Sequence, residues 1–183
     1  MVNSKLLKNK NKILIIAAHP DDEVLGCGGT ILKYKKTHQI KTVFLTNGVS
    51  ARSKSKNSKT IRKKECINLF KYLKIDNPIF LNLPDNQLDK LPLLKIIKKI
   101  EQVIKKYKPH TVFTHFENCL NIDHQIAYRA TITACRPLKD ISVKKILSYE
   151  VLSSTDWAQS QKKFFNQTGL LIFQMKLKEK FHH

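Results

Sequence analysis

The sequence predicts an α/β fold, a Rossmann-like and mainly parallel β-sheet flanked by helices. Three observations point there. Residues 13–18 form an unbroken apolar run, the pattern of a strand covered on both faces. Short apolar runs then alternate with segments of helical periodicity, and a βαβα order implies parallel strands joined by helical crossovers. Two polar clusters directly follow strand segments: His19-Pro20-Asp21-Asp22 after the first, and His115 to His124 after a later one. Open parallel sheets bind their ligands there, beyond the carboxyl ends of the strands.

In chain order, a helix over residues 24–36 follows the first strand. Residues 40–46 are the second strand, which stops at the turn pair Asn47-Gly48. Residues 49–59, rich in Ser and Lys, read as a mobile loop. Residues 60–74 have helical spacing through Ile61, Cys66, Leu69, Phe70 and Leu73. Residues 78–83 form a short strand, 84–90 a polar loop and 91–107 a long amphipathic helix. Residues 109–114 are a strand, 122–135 a helix with Asp123 near its start, and 143–151 a last strand. No linker or internal repeat divides the chain, so residues 1–183 are expected to form a single domain.

Composition narrows the function classes. No apolar run approaches the roughly 20 residues that span a bilayer. Residues 5–12 are basic and precede an apolar run, but that run is shorter than the about 7–15 residues of a signal peptide and leads directly into His19-Pro20. A cytoplasmic protein is expected. The formal charge of +20 raises nucleic acid, a membrane surface or an anionic substrate as partners. Arginine, however, occurs only at Arg52, Arg62, Arg129 and Arg136, and lysines are spread through every segment. Nucleic-acid sites concentrate arginine and stacking aromatics. No nucleic-acid partner is expected, and a basic nucleic-acid-binding module is the remote alternative. Cys27, Cys66, Cys119 and Cys135 include no Cys-x-x-Cys pair, which argues against a structural zinc knuckle.

The chemistry gathers at the end of the first strand. Zinc takes His nitrogen and carboxylate oxygen, and catalytic sites keep a position open for water. His19 and Asp22, three apart across a strand-to-helix turn, can reach one ion. Asp21 then points elsewhere, beside the water, where a carboxylate serves as general base. The best third ligand is His124, near the start of a helix after another strand. Two other readings compete. Asp21, Asp22 and Glu23 could satisfy a helix N-terminus, and Gly26, Gly28 and Gly29 could cradle a phosphate. Their spacing fits neither glycine-rich fingerprint, and they are expected instead to allow close backbone approach.

Residues 17–30, Ala-Ala-His-Pro-Asp-Asp-Glu-Val-Leu-Gly-Cys-Gly-Gly-Thr, resemble the signature of the PIG-L/LmbE-like family of zinc-dependent de-N-acetylases. Leu45-Thr46-Asn47-Gly48-Val49-Ser50 is similar to the family's second-strand segment, Arg62 and Glu65 to its next helix, and Leu83-Pro84-Asp85-Asn86 to its substrate-side loop. Leu120-Asn121-Ile122-Asp123-His124 with Ala134-Cys135-Arg136-Pro137 resembles its second metal motif. Tyr149-Glu150-Val151 and the stretch 153–157 also fit, so the likeness runs from about 13 to 157.

The resemblance implies an LmbE-like fold and a hydrolase that removes the N-acetyl group from an N-acetylglucosamine-type conjugate, releasing acetate and a free amine. His19, Asp22 and His124 would hold Zn2+, or another divalent ion such as Fe2+. Asp21 would be the general base, Asp123 would orient a neighbouring group, and Arg62 and Asp85 would contact the sugar. A small-molecule amino-sugar conjugate is then the partner, and small members of the fold often assemble as homo-oligomers. Three departures stand out. Several family members carry a histidine where this chain has Asn121, which donates a hydrogen bond but is no acid; His115 is the candidate replacement. Cys119 stands where the branch usually has Asp. Residues 158–183 form a shortened or atypical C-terminus. A non-catalytic member that binds a sugar or a metal is the alternative these departures raise.

Overall fold

A computed structural model of the chain describes residues 11–48 and 56–151. Residues 49–55 of the expected 49–59 loop and everything after Val151, including the atypical C-terminus, lie outside the described residues. Within them run β1 (Lys12–Ala17), α1 (Asp22–Tyr34), β2 (Gln39–Thr46), α2 (Lys56–Leu73), β3 (Ile79–Leu83), α3 (Leu93–Tyr107), β4 (Thr111–His115), α4 (Ile122–Ala134) and β5 (Lys145–Tyr149). The sheet order is β3-β2-β1-β4-β5, and every neighbouring pair is parallel. No described helix is long and apolar enough to cross a membrane.

Each expected element is present, with shifted ends. The second helix begins at Lys56, four residues ahead of the expected start, so Lys56–Lys59 are helix and not loop. Lys is a good helix former and Asn a weak one, and the buried Cys66 and Phe70 further along hold the helix on the sheet. The loop at 84–90 closes with a 3-10 turn at Leu88–Lys90, anchored by the fully buried Leu88. Pro109 precedes β4 without joining it, since proline has no N–H for the ladder.

The apolar run in β1 has its physical reason in two cores. Leu14, Ile16 and Ala18 pack with residues of α3 and α4, whereas Ile13, Ile15 and Ala17 face Cys27 and Ile31 of α1 and the Phe70 cluster of α2. Burying each such Ile or Leu contributes about 1.5–3 kcal/mol. The chain enters one face through α1 and α2 and the other through α3 and α4. The order therefore reverses between β1 and β4, and a crevice opens at their carboxyl ends. His19 follows β1 and His115 ends β4, so both motifs reach that crevice.

Close backbone approach is found at Gly26 and not at its two neighbours. A Cβ on Gly26 would lie 2.2 Å from Tyr149 Cδ2 and 2.7 Å from the Glu150 carbonyl oxygen. On Gly28 it would meet Val24 Cγ1 at 3.6 Å, and on Gly29 nothing within 4 Å among the described residues. Gly26→Ala is expected to destabilise the protein by about 2–3 kcal/mol through overpacking. Gly29→Ala should stabilise it by about 0.5–1 kcal/mol through helix propensity. Urea denaturation of the two variants checks both signs.

Candidate metal centre and active site

The turn between β1 and α1 is under strain. Asp21 has φ 131° and ψ −30°, a conformation that side-chain-bearing residues rarely adopt. Several contacts hold it there. Glu23 Oε2 accepts the Asp21 N–H at 3.0 Å. The Asp21 carbonyl accepts the N–H groups of Val24 (3.1 Å) and Leu25 (3.0 Å). Arg62 donates from Nη2 to the Pro20 carbonyl at 2.8 Å and forms an ion pair with the Asp21 carboxylate. A cavity of about 270 Å³ opens here, lined by Asp21, Glu23, Arg62 and Cys66 among others.

The helix-cap reading accounts for little of the cluster. Asp21 occupies the N-cap position but makes no capping hydrogen bond with its side chain. Glu23 serves the turn, and its Oε1 is buried without a hydrogen-bond partner among the described residues. Asp22 turns to the crevice, where its Oδ2 accepts the His19 N–H at 2.8 Å. That oxygen lies 3.2 Å from His19 Nδ1, 3.3 Å from His124 Nε2 and 3.4 Å from His115 Nε2. His19, Asp22 and His124 are all buried and can offer donor atoms to one ion.

The donor spacing fits such an ion. Donors about 2.0–2.1 Å from a tetrahedral zinc stand about 3.3 Å apart, close to the 3.2 and 3.3 Å from the Asp22 oxygen to the two ring nitrogens. Two imidazoles and one carboxylate are also a donor set that zinc uses with a position left open. The second nitrogen of each ring is occupied as well, as metal-bound histidines require. His19 Nε2 lies 3.1 Å from Asp123 Oδ2 and 3.3 Å from Asp85 Oδ1, and His124 Nδ1 lies 3.1 Å from Cys119 Sγ.

Asp123 is built to orient. It is fully buried, and it accepts the N–H groups of Asn86 at 2.7 Å and Leu88 at 3.1 Å besides facing His19. Asp85, also buried, accepts the Thr46 hydroxyl at 3.1 Å. The loop after β3 is thereby tied to the start of α4 and to His19.

Charge follows this geometry. Burial disfavours the charged form of His19, but hydrogen bonds and attraction from Asp123 and Asp22 outweigh it and push the ring up to about 10. His124 is raised to about 9, where Asp22 and Cys119 overcome the same burial. Burial would raise Asp22, yet the surrounding histidines hold it well below the ordinary carboxylate range. Asp21 is raised, first by burial and then by the Asp22 charge, with Arg62 opposing. Burial pushes Glu23 up to about 7.

Two expected residues have further partners that the sequence did not indicate. Asn121 is the N-cap of α4: its side-chain oxygen accepts the N–H groups of Asp123 at 2.9 Å and His124 at 3.4 Å. His115 reaches the cluster but is almost wholly buried. Its ring stacks on His124 at 3.8 Å, and its Nε2 accepts the Ala18 N–H at 2.9 Å. Burial, and then the neighbouring His124, pushes His115 down to about 4, so the ring is neutral imidazole and not imidazolium near neutrality. Arg62 is placed on Asp21. Cys119 and Tyr149 are contributors that local sequence did not assign; Tyr149 donates its hydroxyl to the Ile16 carbonyl at 3.0 Å beneath the cluster.

Residues 14–135 match the family model described as PIG-L, GlcNAc-PI de-N-acetylase. The chain belongs to this family. The match spans all three candidate ligands together with Asp21, Arg62, Asp85 and Asp123. Among relatives of this de-N-acetylase family member, the uncharacterized deacetylase YaiS of Escherichia coli (strain K12) is 31% identical over 186 residues, covering 97% of this chain and 94% of that protein. Among solved structures, the N,N'-diacetylchitobiose deacetylase from Pyrococcus horikoshii is 25% identical with a TM-score of 0.67, covering 80% of this chain and 62% of its own. The conserved protein TT1542 from Thermus thermophilus is 26% identical with a TM-score of 0.63, covering 75% and 65%. The chain thus spans under two thirds of these solved relatives' length. Their shared architecture is the α/β fold with a parallel sheet described above.

Proposed function

We propose that the chain is a zinc-dependent de-N-acetylase that hydrolyses the acetamide of an N-acetylglucosamine-type conjugate to acetate and a free amine. The observation that carries this reading is the Asp22 oxygen standing at tetrahedral-edge distance from a ring nitrogen of both His19 and His124, beside the half-exposed Asp21. Zinc held there would lower the pKa of a water and polarise the acetamide carbonyl. The same donors accept other divalent ions, Fe2+ among them.

The chain's own residues then divide the work. Asp22 fixes the two ligand rings about one oxygen, and Asp123 fixes the tautomer of His19. Asp21 takes the proton from the attacking water, held in place by Arg62. Asn121 is no acid and His115 is neutral, so return of the proton to the departing amine also falls to Asp21. Its raised pKa suits that second step, since a carboxylic acid closer to the working pH shares protons in both directions. Arg62 lines the cavity where the sugar would lie, and Asp85 is buried against Thr46 and His19. The relative from Pyrococcus horikoshii is named for N,N'-diacetylchitobiose, which makes that disaccharide a first substrate to try. The net charge of +20 favours adding an anionic N-acetylglucosamine conjugate. Acetate and free amine appearing in equal amounts from one of these supports the reading; zinc binding without cleavage of any would support a non-catalytic member.

The raised histidines give a pH signature. A group whose folded pKa is raised stabilises the fold fully below its unfolded value, about 6.5 for imidazole. That stabilisation declines as pH rises towards about 9 and about 10, the folded values of His124 and His19. Metal-free protein should therefore lose stability between those limits, as read by urea midpoints across a pH series. The depressed Asp22 acts at the other end: its contribution is present above about 3.9 and is lost as pH falls further. Zinc must displace a proton from each of the two rings, so calorimetry at pH 7 in buffers of different ionisation enthalpy should show release approaching two protons per zinc.

A further inference from the structure

We infer that Cys119 is a positioning residue for His124, its sulfur fixing the ring's tautomer and thereby setting how tightly the site holds a divalent metal. The inference rests on the zinc reading of the site. Cys119 is almost wholly buried, with Sγ 3.1 Å from His124 Nδ1. The opposite ring nitrogen, Nε2, faces the Asp22 oxygen at 3.3 Å. An imidazole that offers its Nε2 lone pair to a metal carries its proton on Nδ1, and Sγ stands where that proton points.

The contact is fixed from several sides. The Cys119 N–H donates to the Phe116 carbonyl at 3.3 Å, and the Cys119 carbonyl accepts from Gln125 Nε2 at 2.7 Å. Gln125 follows His124 on α4, so the loop carrying the sulfur is tied to the helix carrying the ring. His115 stacks on the ring's face at 17° between planes and limits its rotation. The two candidate ligand rings are thus held by different acceptors: His19 by carboxylate oxygen and His124 by sulfur. A thiol sulfur is a weak acceptor and a carboxylate a strong one. Sulfur should orient His124 while leaving it a poorer donor than a carboxylate would.

The test is a titration of the metal-free full chain with Zn2+ against a chromophoric chelator, with folding checked by circular dichroism. Outer partners of metal-bound histidines are worth about 10–100-fold in metal affinity, so Cys119→Ala should weaken zinc binding by that factor. Cys119→Asp should restore wild-type affinity or exceed it; if it does not fold, Cys119→Ser, whose hydroxyl also accepts from Nδ1–H, should recover part of the loss. Co2+-loaded wild type should show no thiolate-to-metal charge-transfer band. Cys119→Ala binding zinc as tightly as wild type, no recovery with either polar variant, or a charge-transfer band that Cys119→Ala removes would overturn the inference. His124→Ala binding zinc as well as wild type would instead remove the zinc reading beneath it.

Discussion

Replacing Asp21 by Asn is expected to lower kcat by about 10²–10⁴, the range that a positioned general acid–base contributes, while zinc content stays at the wild-type level. Asn suits the test because it tolerates the positive φ of this position better than most residues. It keeps nearly the shape of Asp but takes no proton. The Arg62 ion pair is lost with the charge, so Arg62→Gln is the control: it should lower activity less, because Asp21 retains its carboxylate and the Glu23 contact to its N–H. Acetate release at saturating substrate, with zinc measured on the same preparations, gives the comparison. A kcat for Asp21→Asn within about threefold of wild type would leave Asp21 without the assigned role.

Asp22→Asn and His124→Ala should each remove metal and activity together. Loss of an outer partner costs about 10–100-fold in affinity, so loss of a direct ligand should cost more than about 100-fold. Asp22 is the more informative position. One of its oxygens lies within 3.4 Å of nitrogens on three imidazole rings, and Asn presents no negative charge to any of them. Dialysed wild type and variants, compared for zinc retained and acetate released, should separate into a loaded active protein and empty inactive ones. A variant that retained stoichiometric zinc would place the ion elsewhere.

Much of this was legible in the sequence because it is local or periodic. Residues 13–18 announced a doubly covered strand, and the alternation after them announced the parallel sheet. His19, Asp21, Asp22 and His124 were legible as residue types placed just past strand ends. What escaped depends on contacts between distant segments or on side-chain direction. That Asn121 also caps α4 emerges only when its oxygen is seen on the backbone of Asp123 and His124. The burial of His115, with its Nε2 accepting the Ala18 N–H 97 positions away in the chain, is a long-range contact that no local pattern carries. Glu23 and Asp21 cannot be told apart from Asp22 as helix caps by composition, because the strained turn aims each carboxylate differently. Cys119 appears in sequence only as an unusual residue, and its bearing on His124 emerges when the loop closes onto α4.

The most direct measurement of the central claim is the initial rate of acetate release as zinc is added stepwise to metal-free protein with a cleaved N-acetylglucosamine conjugate. The rate should climb in proportion to zinc, level at one equivalent per chain, and stay at background throughout in Asp22→Asn. A rate indifferent to added zinc, or equal in wild type and Asp22→Asn, would contradict it.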